Sequence, residues 1–445
     1  MGQAMTGKKI IPFMLSIILL ALAGMARAAS SPELIDARAT AAYWIERNPK
    51  GEEPLLSEED VQSVNRTIRG KNDTLHDLEA LPHILSDSEI QRRIEKVCAL
   101  GDFSEDDLPA VYVDGQRLTR EAYESAFQRA KPDLPQENPV YYGLLLHRAN
   151  LRLLPVESGW FESASDTHYD SLQATALDPA EPIAVWAKSG DGRFAFVTAR
   201  HYEGWLSVQD FVEVERETWF SYVQPTDFAV VTANKATITL DTGEQFLFQM
   251  GARIPLVSQP RHKYALCLPT VSEGKFQEAH LPFLEDETIH HGYLPCTENN
   301  FVRQAFRFLG DEYGWGGLDD SVDCSAFVGD VYRSMGIELP RDADTQANSL
   351  PNCVSLDELD EEERFSALQA FHFGALISND THIMMYLGED LDGQPIVIQA
   401  MSSWFSHEGI RQKHYNRKVI VTTVDFPNYR GVPYINGVKW IGAVR

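Results

Sequence analysis

The chain has 445 residues, 44% hydrophobic, 10% aromatic and 23% charged, a globular composition and enough length for about three domains. Its 39 Lys and Arg stand against 65 Asp and Glu, a net charge of −26. That sign repels a phosphate backbone and excludes nucleic acid as an expected partner.

Lys8 and Lys9 precede an apolar run from Ile10 to Met25 that closes on Ala26-Arg27-Ala28, the pattern of a cleaved export signal over residues 1–28. A membrane anchor is the alternative, but the run of about 16 residues falls short of the roughly 20 that a spanning helix needs. Loss of Lys8, Lys9 and Arg27 takes the net charge from −26 to −29. All five cysteines, Cys98, Cys267, Cys296, Cys324 and Cys353, lie beyond the signal. In an oxidising compartment an odd count leaves at least one thiol without an intrachain partner. No CxxC spacing occurs, and His290-His291 lacks turn-spaced partners, so no metal site is expected.

Residues 29–143 read as a mostly helical or irregular segment. Helices are predicted over 86–100 and 119–130; in the first, Ser86 and Glu89 have capping-box spacing and Ile90, Ile94 and Val97 share a face. Residues 144–226 turn to short β runs. A hairpin is predicted from 183–188 and 193–198 around Ser189-Gly190-Asp191-Gly192, with a further run over 202–208. Residues 227–284 repeat the rhythm at 228–232, 237–240 and 246–250. Two small barrels fit this length, with a single larger sandwich as the alternative.

After residue 285 the texture is mixed α and β. Phe301, Val302, Ala305, Phe308 and Leu309 share a helical face that stops at Gly310. A second helix follows Cys324, with Val328, Val331, Tyr332 and Met335 inward and Gly336 at its end. Strands are predicted at 371–378, 382–387 and 396–400. The acidic run 357–363 reads as solvated surface.

Chemistry concentrates where Tyr313-Gly314-Trp315-Gly316-Gly317 runs into Asp323-Cys324-Ser325. A Cys opening a helix is placed where the dipole and free N–H groups favour a thiolate, although such a Cys is also commonly a small buried residue. The candidate base is His382, at the start of an apolar strand; a strand His is often structural. Gln399, a lone polar residue in the next strand, could accept the imidazole Nδ1–H and hold the useful tautomer, or only satisfy backbone.

These motifs, with Met335-Gly336-Ile337-Glu338-Leu339-Pro340-Arg341-Asp342, resemble the NlpC-type papain-like cysteine peptidases of bacterial cell walls over residues 295–445. The β-rich region looks like the paired bacterial SH3-like barrels of one branch, the murein γ-D-glutamyl-diamino-acid endopeptidases. The implied fold is multidomain: signal 1–28, a wrapping segment 29–143, barrels 144–226 and 227–284, and an α+β papain-like domain 285–445. The resemblance implies Cys324 as nucleophile, His382 as base and then acid, and Gln399 as orienting residue in a place usually held by His. It implies Asp342 as the carboxylate that binds a free amino group, Ser325 in the same subsite, and Tyr202 closing it from the first barrel. Tyr313 and Trp315 would form an aromatic wall, with the Tyr313 hydroxyl near the oxyanion. On residue type alone, Asp342 is equally a solvent-exposed turn residue, Tyr202 barrel core and Trp315 plain packing.

The implied protein is an exported, periplasmic or extracellular, monomeric hydrolase of murein peptides that needs no cofactor. Ala326 stands where Gly is usual and Gly374-Ala375 where Gly-Asp is usual. A wall-binding protein with lost activity, or an amidase or acyltransferase on the same scaffold, are the alternatives. With Cys324 reduced, Cys98, Cys267, Cys296 and Cys353 form an even set that could pair.

Overall fold

The computed structural model describes residues 31–103, 110–260, 263–406 and 411–445. The expected export signal lies outside them.

The N-terminal segment starts on the C-terminal domain and ends on the first β unit. Leu34 N–H donates to Val421 O at 2.8 Å, and Arg38 pairs with Asp390 at 2.7 Å. Helix α1 (Ala41–Glu46) carries buried Trp44 into the C-terminal core, and α2 (Glu58–Lys71), capped by Ser57 and Asp60, does the same with Val64 and Ile68. Asn65 is bonded to both Gly336 O and Glu338 N–H. Helix α3 (Asp87–Leu100) then packs Ile90, Ile94 and Val97 against the first β unit. Its cap is Ser86, which accepts from Glu89 N–H at 3.2 Å as the spacing predicts. Helix α4 (Arg120–Arg129) is capped by Thr119.

Seven strands form the first β unit: β1 (Tyr141–Leu145), β2 (Ala149–Arg152), β3 (Gln173–Leu177), β4 (Pro182–Lys188), β5 (Phe194–Thr198), β6 (Glu203–Ser207) and β7 (Phe211–Val214), in the order β7-β1-β4-β5-β6-β2-β3. The β4–β5 pair is the predicted hairpin. Helix α5 (Arg216–Val223) leads to the second unit. There β8 (Phe228–Val231), β11 (Arg253–Ser258), β12 (Tyr264–Ser272), β13 (Lys275–Pro282) and β14 (Ile289–His291) form a sheet in the order β13-β12-β11-β8-β14. A separate ribbon pairs β9 (Lys235–Thr239) with β10 (Gln245–Gln249). Phe246, Phe248, Ile254 and Leu268 fill a core distinct from that of Phe194, Phe196 and Trp205, so the region is two units and not one sandwich.

In the C-terminal domain, helices α6 (Glu298–Phe306), α7 (Cys324–Arg333) and α8 (Ala343–Ser349) pack on one face of a sheet. The sheet order is β15-β20-β16-β17-β18-β19, built from β15 (Asn352–Ser355), β16 (Leu376–Ser378), β17 (Ile383–Glu389), β18 (Pro395–Ser406), β19 (Gln412–Thr423) and β20 (Trp440–Ala443). The sequence reading departs from the fold at three points. The strand expected at 371–378 is only β16. Strands β18 and β19 extend into a long two-stranded arm that the reading ended at residue 400. By contrast, the acidic run 357–363 is solvent-facing as expected, and it contains the start of α9 (Glu361–Gln369), capped reciprocally by Asp360 and Glu363. All five cysteines are free thiols, with Cys98, Cys267 and Cys296 buried in three different cores, so the even set does not pair.

Candidate active site

Asp323 caps α7 with both carboxylate oxygens engaged. Oδ1 accepts from Ala326 N–H at 2.8 Å and Ser325 Oγ at 3.1 Å, and Oδ2 from Gly316 N–H at 3.0 Å. Arg341 closes on both oxygens, with Nη2 at 2.6 Å and Nη1 at 3.2 Å, and reaches Ser325 Oγ at 2.7 Å and Thr175 Oγ1 of β3 at 2.9 Å. The pair is almost fully buried. Such an Asp is taken out of water only with a partner, and the guanidinium holds its carboxyl below the usual carboxylate range despite burial.

This cluster seats Cys324 at the first residue of α7, 6% exposed. Burial, followed by the nearby Asp323 carboxylate, pushes the thiol up to about 12, outweighing the N–H groups of Ile383 and Ser325 that favour the thiolate. The helix terminus favours the thiolate, as expected, but burial works against it. The Ile383 N–H on the sulfur puts Cys324 against the start of β17, where His382 stands. Burial lowers His382 below its ordinary 6.5, with Gln399 opposing. Both shifts favour the neutral forms, thiol and imidazole.

His382 is held by its own turn: its N–H donates to Asn379 Oδ1 at 2.9 Å, and Asn379 Nδ2 donates to Tyr434 Oη at 2.9 Å. Tyr434 stands edge-on to the imidazole at 6.1 Å. Gln399, fully buried in β18, donates from Nε2 to Thr422 Oγ1 at 2.7 Å, which turns Oε1 onto His382 Nε2 at 2.6 Å. The bonded nitrogen is thus Nε2, not the Nδ1 expected from sequence. The correction has a useful sense: a proton fixed on Nε2 leaves Nδ1 as the basic atom.

Tyr313 is 9% exposed, and burial, followed by the neighbouring Cys324, raises its hydroxyl far above the ordinary phenol range. Trp315 is 41% exposed and meets Tyr169 of the first β unit at 6.1 Å. Asp342 opens α8 without capping it and is exposed, yet enclosure by protein raises its carboxyl. Burial, and after it the nearby Asp342 charge, raises the hydroxyl of Tyr202, just before β6. Ser325 is committed to Asp323 and Arg341. The structure thus brings Cys324, His382, Gln399 and Tyr313 together, and Tyr202 with Asp342.

The sequence reading missed Arg341, Thr422 and Tyr169. Arg341 adjoins the motif residue Asp342, but nothing in its spacing announces a buried partner. Thr422 and the wall residues Tyr415 and Arg417 sit on the unpredicted β19; the Arg417 guanidinium lies 5.6 Å from Tyr169 and 4.7 Å from Tyr415 ring centres. The sequence departures are accommodated. Ala326 keeps its N–H on Asp323, and Ala375, in the place of Asp, is buried with its N–H on His372 O at 3.2 Å.

Residues 310–423 match the NlpC/P60 family, and residues 159–207 match the SH3 domain (SH3b1 type). The chain is similar to the gamma-D-glutamyl-L-lysine dipeptidyl-peptidase of Bacillus cereus (strain ATCC 10987 / NRS 248). It is 24% identical over 238 residues, which cover 50% of this chain and 67% of the relative. Its fold is similar to that of an NlpC/P60 endopeptidase from Photobacterium damselae subsp. piscicida, with a TM-score of 0.74 at 16% identity, covering 93% of this chain and 97% of that one. Behind the SH3b1-type match at residues 159–207, residues 310–423 thus carry an NlpC/P60 domain.

Proposed function

We propose that the protein is an exported cysteine endopeptidase that hydrolyses the bond between γ-D-Glu and the diamino acid of murein peptides, and that it requires a free N-terminal L-Ala. The observation that carries this reading is the chain Thr422–Gln399–His382 ending beside the Cys324 helix. The name of the Bacillus cereus relative supports the choice of bond.

His382 Nδ1 takes the Cys324 proton as Sγ bonds to the γ-carbonyl carbon, forming an oxyanion that Tyr313 Oη and backbone N–H at the start of α7 stabilise. The C–N bond then breaks, and the His382 proton passes to the departing amine. Water attacks the thioester, giving its proton to His382, and the thiol leaves with that proton. Throughout, Gln399 Oε1 accepts from Nε2–H. Asp342, with Tyr202 over it, takes the ammonium of L-Ala; a blocked amine leaves that carboxylate unpaired and is rejected.

The test is hydrolysis of L-Ala-γ-D-Glu-diaminopimelate against its N-acetylated form. The free peptide should be cleaved faster by at least about tenfold, the order of one lost hydrogen bond to a charged group. Equal rates sink the amine requirement, and release of a product other than the diamino acid sinks the assigned bond. Cys324→Ala should fold and not turn over.

A further inference from the structure

A second cluster of chemically competent side chains lies in the second β unit, on the β12–β13 hairpin. Register sets Cys267 directly opposite His280, and Glu278 stands two residues before His280 on the same face. The Cys267 sulfur, a Glu278 oxygen and a His280 nitrogen lie within 4.8 Å of one another. Cys267 is 5% exposed, whereas the other two face solvent in part. A sequence search for short Cys and His spacings overlooks this set, because strand pairing and not chain proximity assembles it.

We propose that Cys267, Glu278 and His280 bind a zinc ion through Sγ, a carboxylate oxygen and Nε2, leaving one position for water. Thiolate, imidazole and carboxylate are the donors zinc selects, and three protein ligands with one open position is an established arrangement. A supporting shell is already built. Tyr222 Oη of α5 donates to Glu278 Oε2 at 2.9 Å, leaving Oε1, now 2.8 Å from His280 Nε2, to turn to the metal. Gln259 lies 3.4 Å from His280 Nδ1, where its amide oxygen, once turned inward, accepts the Nδ1–H of a metal-bound ring. A tetrahedral zinc holds its donors about 3.5 Å apart, so the two solvent-facing side chains close by on the order of 1 Å. The Cys267 thiol gives up its proton to solvent as it ligates the metal.

Because Cys324 and His382 offer a competing thiol and imidazole, the test uses the full chain carrying Cys324→Ala. Zinc is titrated against a chromophoric chelator, and cobalt is added in parallel to read thiolate-to-metal absorption. One equivalent should bind, with a cobalt–thiolate band and a rise in melting temperature. Added Cys267→Ser or His280→Ala should remove all three signals, and Glu278→Gln should weaken binding at least tenfold. His280 is solvent-facing, so its Ala variant should keep the parent's metal-free melting temperature. No binding by the Cys324→Ala protein, or binding that survives either Cys267→Ser or His280→Ala at full strength, overturns the proposal: the three side chains are then a hydrogen-bonded cluster only.

Discussion

Gln399 holds His382 through a single neutral hydrogen bond, and its own orientation depends on Thr422. A neutral amide fixes the tautomer while stabilising the imidazolium less than a carboxylate would. Replacing Gln399 by Ala should therefore lower kcat by roughly a hundredfold, within the range that general acid–base groups contribute, with KM little changed. Thr422→Val should lower it less; a Gln399→Ala variant with unchanged kcat would remove the orienting role. Burial also has a pH consequence. His382 must be neutral to accept the thiol proton, and its pKa lies below 6.5, so the acid limb of kcat/KM should fall below that value. Cys324, raised to about 12, should titrate only in strong base. The profile is then a broad plateau, and a limb above 6.5 would contradict the neutral resting pair. At this scale the candidate residues were legible as residue types in order along the chain. Which imidazole nitrogen faces Gln399 was not, because strand geometry decides it.

The elements bring those residues together through backbone conformations that composition does not reveal. Gly316 and Gly317 adopt φ of 58° and 83°. A Cβ on Gly316 would sit 2.5 Å from Gln173 Cγ, and one on Gly317 2.7 Å from Ala176 Cβ. The loop before Cys324 is thus pressed against β3, and Gln173 Nε2 donates to Gly316 O at 3.0 Å. Gly316→Ala must displace either that loop or β3, and should reduce kcat/KM more than it lowers the melting temperature. Arg341 is the stronger case. Its removal leaves the Asp323 carboxylate buried without a cation, a loss of about 3–5 kcal/mol for a broken buried pair. Arg341→Met should accordingly lower the denaturation midpoint and slow Cys324 alkylation, both read on one preparation; a change under about 1 kcal/mol would show that water reaches the cap. Helices α3, α6 and α7 were legible from apolar spacing and cap residues, because those signals are local. The β18–β19 arm was not, since beyond residue 401 its paired strands are mostly polar or charged and lack the apolar run that marks the earlier strands.

Across the whole molecule one carboxylate ties three units together. Asp178, in the turn between β3 and β4, accepts from Arg148 of the first β unit at 3.0 Å, from Gln249 N–H of the second at 3.0 Å and from Arg333 of α7 at 3.1 Å. Arg333 also donates to Met250 O at 2.9 Å. Division into β-rich and mixed units was legible from texture, but this junction was not, because its charges are scattered over more than 150 residues of chain. Beside Asp178 lies Glu181, whose carboxyl is raised to about 7 by burial and then by the Asp178 charge. A carboxyl raised above its unfolded 4.5 favours the folded state while protonated. Its contribution is complete below about pH 4.5 and is lost as pH rises from there to about 7. Glu181→Gln keeps an acceptor for the Asp178 N–H, 3.2 Å away, without the charge. The variant should match the parent's melting temperature near pH 4.5 and exceed it above pH 7, with the gap opening between. Equal melting temperatures at pH 8 would mean that Glu181 ionises there without strain, and that the Asp178 charge is already neutralised by Arg148 and Arg333.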